Sequence, residues 1–205
     1  MPDVISIYDA APERRFQPGD IIAFYGSDWR SRVISIATRG PSHVGIIAQW
    51  ELPDGFGSYR TELVLVESTT LCPRPCLVAG KQVDGVQVQH PGLRIQDYNG
   101  RAKLVRLSKH RTLLGDEVQK LTDHLHTWLG TPYDFRGALW SGTRVLKYVP
   151  WLPHNDLGSV FCSELIATAL QRLSLLCVWN AGLFNPASLV NTLIRSGVYL
   201  PGVPL

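Results

Sequence analysis

Three short apolar runs in the first third of the chain limit its fold more than any other feature of the sequence. Residues 21–25 follow a Pro-Gly-Asp turn, residues 43–50 follow a Gly-Pro pair, and residues 62–68 follow a loop rich in glycine, proline and aspartate. Apolar runs of this length between turn residues predict buried strands. The loop over 52–59 suits a hairpin between the second and third strands, so we expect an antiparallel sheet.

The rest of the chain predicts further strands and the helices that flank this sheet. Strands are expected over 83–88 and 102–107, and helices over 29–38, 113–129, 162–173 and 186–195. The helix over 162–173 has the clearest pattern, because its apolar residues recur at helical spacing along one face. This order of strands and flanking helices predicts the α+β class.

We expect residues 1–205 to form a single domain. A chain of 205 residues with 45% apolar and 18% charged residues can bury one substantial core. Within it, residues 1–16 predict an irregular arm, and the segments at about 71–100 and 136–158 predict insertions. The second insertion is rich in tryptophan and either lines an apolar groove or packs over the sheet, of which packing is the more usual role of large aromatics.

Charge, cysteine content and hydropathy argue against several classes of protein. The formal net charge is +3, and no cluster of basic residues is interleaved with aromatics, so no nucleic-acid partner is expected. Cys72 and Cys76 flank a Pro-Arg-Pro segment without two further ligands at matching spacing, so neither a metal nor another cofactor is expected. We see no signal peptide and no apolar stretch of roughly 18 residues, which predicts a cytoplasmic protein without an integral membrane segment. The sequence leaves the oligomeric state open.

Cys162 is the first candidate for chemistry. It lies where an irregular segment gives way to the helix over 162–173, which places its thiol in the first helical turn. The free N–H groups and the dipole of that turn favour the thiolate, which is the attacking species, and the Cys162 N–H is suited to holding an oxyanion. The alternative is an inert buried cysteine, and the local context alone favours it.

His43 and Glu67 are candidates for the groups that would assist a nucleophile. His43 begins the strand over 43–50, where an imidazole can face a cleft and act as a base. Glu67 ends an apolar run, and a buried acid needs a partner. If the two strands pair, Glu67 lies near His43 and fixes its tautomer. The plainer alternatives are a strand-end histidine that packs or meets solvent, and an acid in solvent.

Four short motifs together resemble one family, the NlpC/P60 superfamily. They are His-Val-Gly-Ile-Ile from His43, Val-Glu-Ser on the next strand, Gly-Thr-Pro-Tyr from Gly130, and Phe-Cys-Ser-Glu-Leu from Phe161. The histidine precedes the cysteine, which is the order of the circularly permuted, papain-like branch that includes YiiX/YaeF-like proteins and is related to the lecithin:retinol acyltransferase type. Permutation leaves a triad intact, because geometry defines it and chain order does not.

The resemblance implies a papain-like α+β fold in permuted order, with an antiparallel sheet packed on the helix that carries the cysteine. It implies Cys162 as nucleophile, His43 as base and Glu67 as the polar third member of the triad. Tyr133 matches the tyrosine that lies by the nucleophile, so the resemblance implies a role for it at the oxyanion site.

The resemblance also implies an activity. We expect a cysteine peptidase or amidase that cleaves an amide bond, with cell-wall peptides among the possible substrates, through a thioester acyl-enzyme. A lipid acyl hydrolase or acyltransferase at the same Cys-His site is the first alternative, and a non-catalytic binding module on this fold is the second. The expected partner is therefore a peptide or a lipid-like acyl substrate.

Overall fold

A computed structural model shows how the strands and helices assemble. It describes residues 16–26, 40–55, 57–70, 72–133 and 161–205. Nearly all of the predicted N-terminal arm, the predicted helix over 29–38 and the tryptophan-rich segment over 136–158 lie outside these residues.

The described residues form a six-stranded antiparallel sheet in the order β4-β3-β2-β1-β5-β6. Its strands are β1 (Ile21–Gly26), β2 (His43–Pro53), β3 (Tyr59–Thr69), β4 (Gly85–Gln89), β5 (Gly100–Val105) and β6 (Val203–Pro204). The predicted antiparallel sheet is confirmed. The hairpin loop is shorter than the predicted 52–59, because β2 continues to Pro53 and β3 already begins at Tyr59. The sequence did not reveal β6, whose two residues are too few for an alternating pattern.

Four α-helices accompany the sheet in the described part of the chain, so the α+β class is confirmed. They are α1 (Pro91–Gln96), α2 (Gly115–Trp128), α3 (Cys162–Arg172) and α4 (Pro186–Arg195). The last three agree with the predictions to within two residues at each end. We missed α1, which lies in the segment over 71–100 where we predicted one strand and no helix. None of the described helices combines the length and the apolar character needed to cross a bilayer.

Apolar side chains cover both faces of the sheet. Ile21 and Ala23 of β1 join the larger cluster, which packs against α2 and α3, whereas Ile22 and Phe24 join a smaller cluster on the opposite face. This follows from the strand period of two, which sends successive side chains to opposite faces. Each fully buried aliphatic side chain contributes about 1.5–3 kcal/mol relative to an exposed one, so these clusters hold the sheet and the helices together.

The helix α3 is held at its N-terminal end by a partly buried hydrogen bond. Its apolar face packs against β2 and β3. Ser163 in its first turn is completely buried and donates a hydrogen bond from Oγ to the carbonyl oxygen of Phe184 at 2.7 Å. A 3-10 helix, Ala181–Leu183, packs beside the same helix. The position of the cysteine at the start of α3 is therefore set by packing from the sheet and from this later segment.

Candidate active site

His43 and Glu67 meet across the hairpin of β2 and β3. Ile46 lies opposite Val66 in the register, which puts Glu67 diagonally across from His43 on the same face, within reach of long side chains. Nε2 of His43 lies 2.5 Å from Oε2 of Glu67. The side chain of Glu67 is completely buried, and that of His43 is 13% exposed. The structure thus brings together the two residues that the sequence predicted as base and orienter.

Gly45 allows this close approach. It follows His43 by two residues on β2. A Cβ added to it would lie 2.7 Å from Cδ1 of Leu65 and 3.3 Å from Cβ of Glu67. A glycine inside a strand is typical of a place where another group needs the space of the missing side chain. The glycine of the His-Val-Gly motif is therefore required by packing next to the site.

Cys162 is the first residue of α3, and only 2% of it is exposed. It lies close enough to the ring of His43 to raise the pKa of that histidine through its charge and through hydrogen bonding. The N–H groups of the first helical turn have no partner within the helix, and they favour negative charge at this position. The three residues that the sequence predicted as nucleophile, base and orienter thus lie in one connected group.

The surroundings of His43 favour its charged form. Burial on its own lowers the pKa of His43. The negative charge and hydrogen bond of Cys162, and then the hydrogen bond and charge of Glu67, outweigh burial and raise this pKa to about 9. An imidazolium beside a thiolate is the charge arrangement that activates a cysteine nucleophile, and it holds the proton that a leaving group needs.

Arg94 of α1 completes the site from the other side of Glu67. Its Nε lies 2.6 Å from Oε1 and its Nη2 lies 3.4 Å from Oε2 of Glu67. Burial acts to raise the pKa of Glu67, but the hydrogen bonds and charges of His43 and Arg94 outweigh it and lower this pKa. The carboxyl group of Glu67 is therefore ionised although it is completely buried.

No motif or periodic pattern in the sequence singles out Arg94. It lies in the segment over 71–100, which we predicted as an insertion, and α1 is too short to show a helical period. The indirect signal was Glu67, since a buried carboxylate needs compensating charge beyond a neutral histidine. Nothing in the sequence tells which of the arginines supplies that charge.

Tyr133 follows a segment that runs alongside β4. Pro132 forms an antiparallel bridge with Gly85, and the carbonyl of Thr131 accepts a hydrogen bond from the backbone N–H of Val86 at 2.9 Å. Tyr133 itself is half-buried. The bridge places it beside the end of the sheet where β4 begins, and its role at an oxyanion site stays a prediction.

Comparison with known proteins gives a fold and no function. No protein-family model matches the chain, and no curated protein matches it. The crystal structure of the metalloprotein YiiX from Escherichia coli O157:H7, a DUF1105 protein, is similar to it, with a TM-score of 0.50 and 21% sequence identity over 88% of this chain and 81% of that chain.

The chain has a YiiX-like fold. At this level of identity the likeness to YiiX speaks for the α+β architecture alone. The chemistry that this site can perform depends on the side chains of Cys162, His43 and Glu67. A buried cysteine at a helix start, a charged histidine and an ionised carboxylate are the components of a nucleophile, a proton donor and an orienting group.

Proposed function

We propose that this chain is a cysteine-nucleophile hydrolase of the circularly permuted NlpC/P60 branch, which cleaves an amide bond through a thioester acyl-enzyme. One observation carries the proposal: the buried carboxylate of Glu67 contacts Nε2 of His43, and the thiol of Cys162 acts on the same ring. The four sequence motifs and the YiiX-like fold support it.

In the proposed reaction the Cys162 thiolate attacks the carbonyl carbon of an amide. The oxyanion forms near the first turn of α3, where the N–H of Cys162 is a candidate donor, with Tyr133 as a second. The imidazolium of His43 gives its proton to the leaving nitrogen, the C–N bond breaks, and a thioester remains. The neutral ring of His43 then takes a proton from water, which attacks the thioester and releases the acid and the thiolate.

Glu67 has no bond to make or break in this scheme. Its hydrogen bond to Nε2 fixes the orientation of the His43 ring, and its charge stabilises the imidazolium that both steps use. This is the role of the third member of a triad.

The description of YiiX as a metalloprotein raises the question of a metal in this chain. Among the described residues, no group of three or more His, Cys, Asp or Glu side chains is arranged to hold a metal ion. The donor set on the described part of the chain does not fit a metal, and the proposed mechanism includes no step through one.

A lipid acyl substrate at the same site is the second candidate, and one surface feature favours it. Leu183, which is 44% exposed, belongs to the 3-10 helix that packs beside α3, and Trp179, which is 99% exposed, precedes that 3-10 helix by two residues. The bond from Ser163 to Phe184 joins this segment to the turn that carries Cys162. Exposed large apolar groups near a nucleophile suit an acyl chain better than a polar peptide.

The experiment offers the protein a labelled short peptide amide and, separately, a labelled phospholipid, followed by acid quenching and mass spectrometry. We expect the acyl mass of the peptide on Cys162. Replacement of Cys162 by alanine should abolish it, whereas replacement of the exposed Cys177 should leave it unchanged. A mass from the lipid alone would reject the peptidase in favour of the lipid enzyme. Ordinary thiol chemistry at Cys162, with no mass from either substrate, would favour a binding module.

A further inference from the structure

We propose that Arg94 is a positioning residue that keeps Glu67 ionised and oriented, and so holds Cys162 and His43 in their charged, reactive form. The inference rests on the proposed function, because it concerns the same site. It adds a fourth residue to a site in which the sequence motifs indicate three.

The geometry of the Arg94–Glu67 pair fixes the direction of the carboxylate. Arg94 contacts both oxygens of Glu67, with Nε on Oε1 at 2.6 Å and Nη2 on Oε2 at 3.4 Å. Oε2 is also the oxygen that faces Nε2 of His43. A planar guanidinium that meets both oxygens of a carboxylate restrains its plane. Arg94 therefore determines where Oε2 points, and Oε2 determines the orientation of the histidine ring.

The positive charge of Arg94 also compensates the negative charge of the buried site. The side chain of Glu67 is fully buried and that of Arg94 is 3% exposed, so water cannot replace either partner. In the reactive state, the negative charges of Cys162 and Glu67 are matched by the positive charges of His43 and Arg94. Without Arg94 the buried site has one uncompensated negative charge, which favours the uptake of a proton by Glu67. A protonated Glu67 no longer stabilises the imidazolium.

Aromatic packing holds the guanidinium in place. Its central carbon lies 5.2 Å from the centre of the Phe24 ring and 5.3 Å from that of the Tyr98 ring. The Phe24 ring also lies 5.5 Å from the ring of His43. A planar cation that stacks on aromatic rings and binds a carboxylate with two N–H groups is an arginine role that lysine does not reproduce.

The test is the pH dependence of Cys162 alkylation by iodoacetamide, located by mass spectrometry, in the full-length wild type and in Arg94→Met. We expect the acid limb of the rate profile to move to higher pH by about one unit in the variant, which is about a tenfold loss of rate below that limb. Arg94→Lys should restore part of the shift, since it keeps the charge and loses the paired contacts.

Arg74→Met is the matched control. Arg74 also binds a carboxylate through Nε and Nη2, that of Asp97, but its side chain is 40% exposed and the pair contacts neither Glu67 nor His43 through a hydrogen bond. We expect its alkylation profile to match the wild type. Thermal unfolding of every variant separates an effect on stability from an effect on the profile, because a merely structural role of Arg94 lowers the melting temperature and leaves the profile unchanged.

A double-variant cycle decides the outcome even if Arg94→Met folds poorly. Arg94→Met combined with Glu67→Gln removes both charges, so no buried charge is left unpaired and the protein is expected to fold. If Arg94 acts only through Glu67, the double variant has the same profile as Glu67→Gln alone. A further shift in the double variant, or a wild-type profile in a folded Arg94→Met, would overturn the inference. An ordinary thiol profile at Cys162 in the wild type would instead overturn the proposed function itself.

Discussion

Replacement of Gly45 by alanine is expected to damage both the stability and the reactivity of the protein. The added methyl carbon would lie 2.7 Å from Cδ1 and 3.1 Å from Cγ of Leu65. Carbon atoms in contact lie about 3.5–4.0 Å apart, so an overlap of about 1 Å has to be relieved. Leu65 is completely buried, so its side chain can move only against its neighbours in the core.

The cost follows from this overlap. Extra methyl groups in a packed core cost about 1–3 kcal/mol, whereas the gain from a stiffer unfolded chain on replacing glycine by alanine is about 0.4–1 kcal/mol. We therefore expect a net loss of about 1–2 kcal/mol in the free energy of unfolding. The added carbon would also lie 3.3 Å from Cβ of Glu67, so any separation of β2 and β3 lengthens the hydrogen bond between Glu67 and His43.

Urea unfolding at pH 7 measures the first effect, and the rate of Cys162 alkylation at pH 6 measures the second. Gly115→Ala is the control, because a Cβ at this exposed helix start meets nothing within 4 Å. A second substitution, Leu65→Val, removes the atom that clashes and should recover part of the loss in Gly45→Ala. The reasoning is wrong if Gly45→Ala unfolds at the wild-type urea concentration and alkylates at the wild-type rate.

Two further substitutions test buried polar side chains that make or break no bond in the proposed reaction. Burial raises the pKa of Asp20 from 3.8 to about 6, so the native state holds an extra proton between these values and stability falls as the pH rises through that window. Relative to the wild type, the free energy of unfolding of Asp20→Asn in urea should rise by about 2 kcal/mol between pH 4 and pH 8, and an equal pH dependence of the two proteins would contradict this. Ser163→Ala removes the 2.7 Å hydrogen bond to the carbonyl of the partly buried Phe184 and should cost about 1 kcal/mol in the free energy of unfolding. An unchanged urea midpoint would show that this bond does not fix α3.

The hairpin half of the site was predictable from the sequence. Apolar runs on both sides of a short loop place β2 beside β3, and a carboxylate at the end of a buried run needs a partner, so the pairing of His43 with Glu67 follows from local patterns. The diagonal register between them depends on hydrogen bonds along the whole hairpin, which the sequence pattern does not fix to the residue.

Local sequence patterns did not predict that Cys162 lies close to His43. More than a hundred residues separate it from His43, and no local pattern encodes a contact over that distance, so its place in the site was expected from the family resemblance alone. Neither local sequence patterns nor the family resemblance predicted the role of Arg94. It belongs to no motif, and its helix of six residues is too short to be recognised by periodicity.

The most direct test of the central claim compares the alkylation of Cys162 in the wild type and in His43→Gln between pH 5 and pH 10. An ordinary thiol, with a pKa of about 8.5, is less than about 1% ionised at pH 6. The exposed Cys177 of the same chain provides an internal reference. We expect Cys162 of the wild type to react at pH 6 and to lose this reactivity in His43→Gln. A rate at Cys162 that rises with pH like that of an ordinary thiol, and equally in both proteins, would contradict a nucleophile activated by His43.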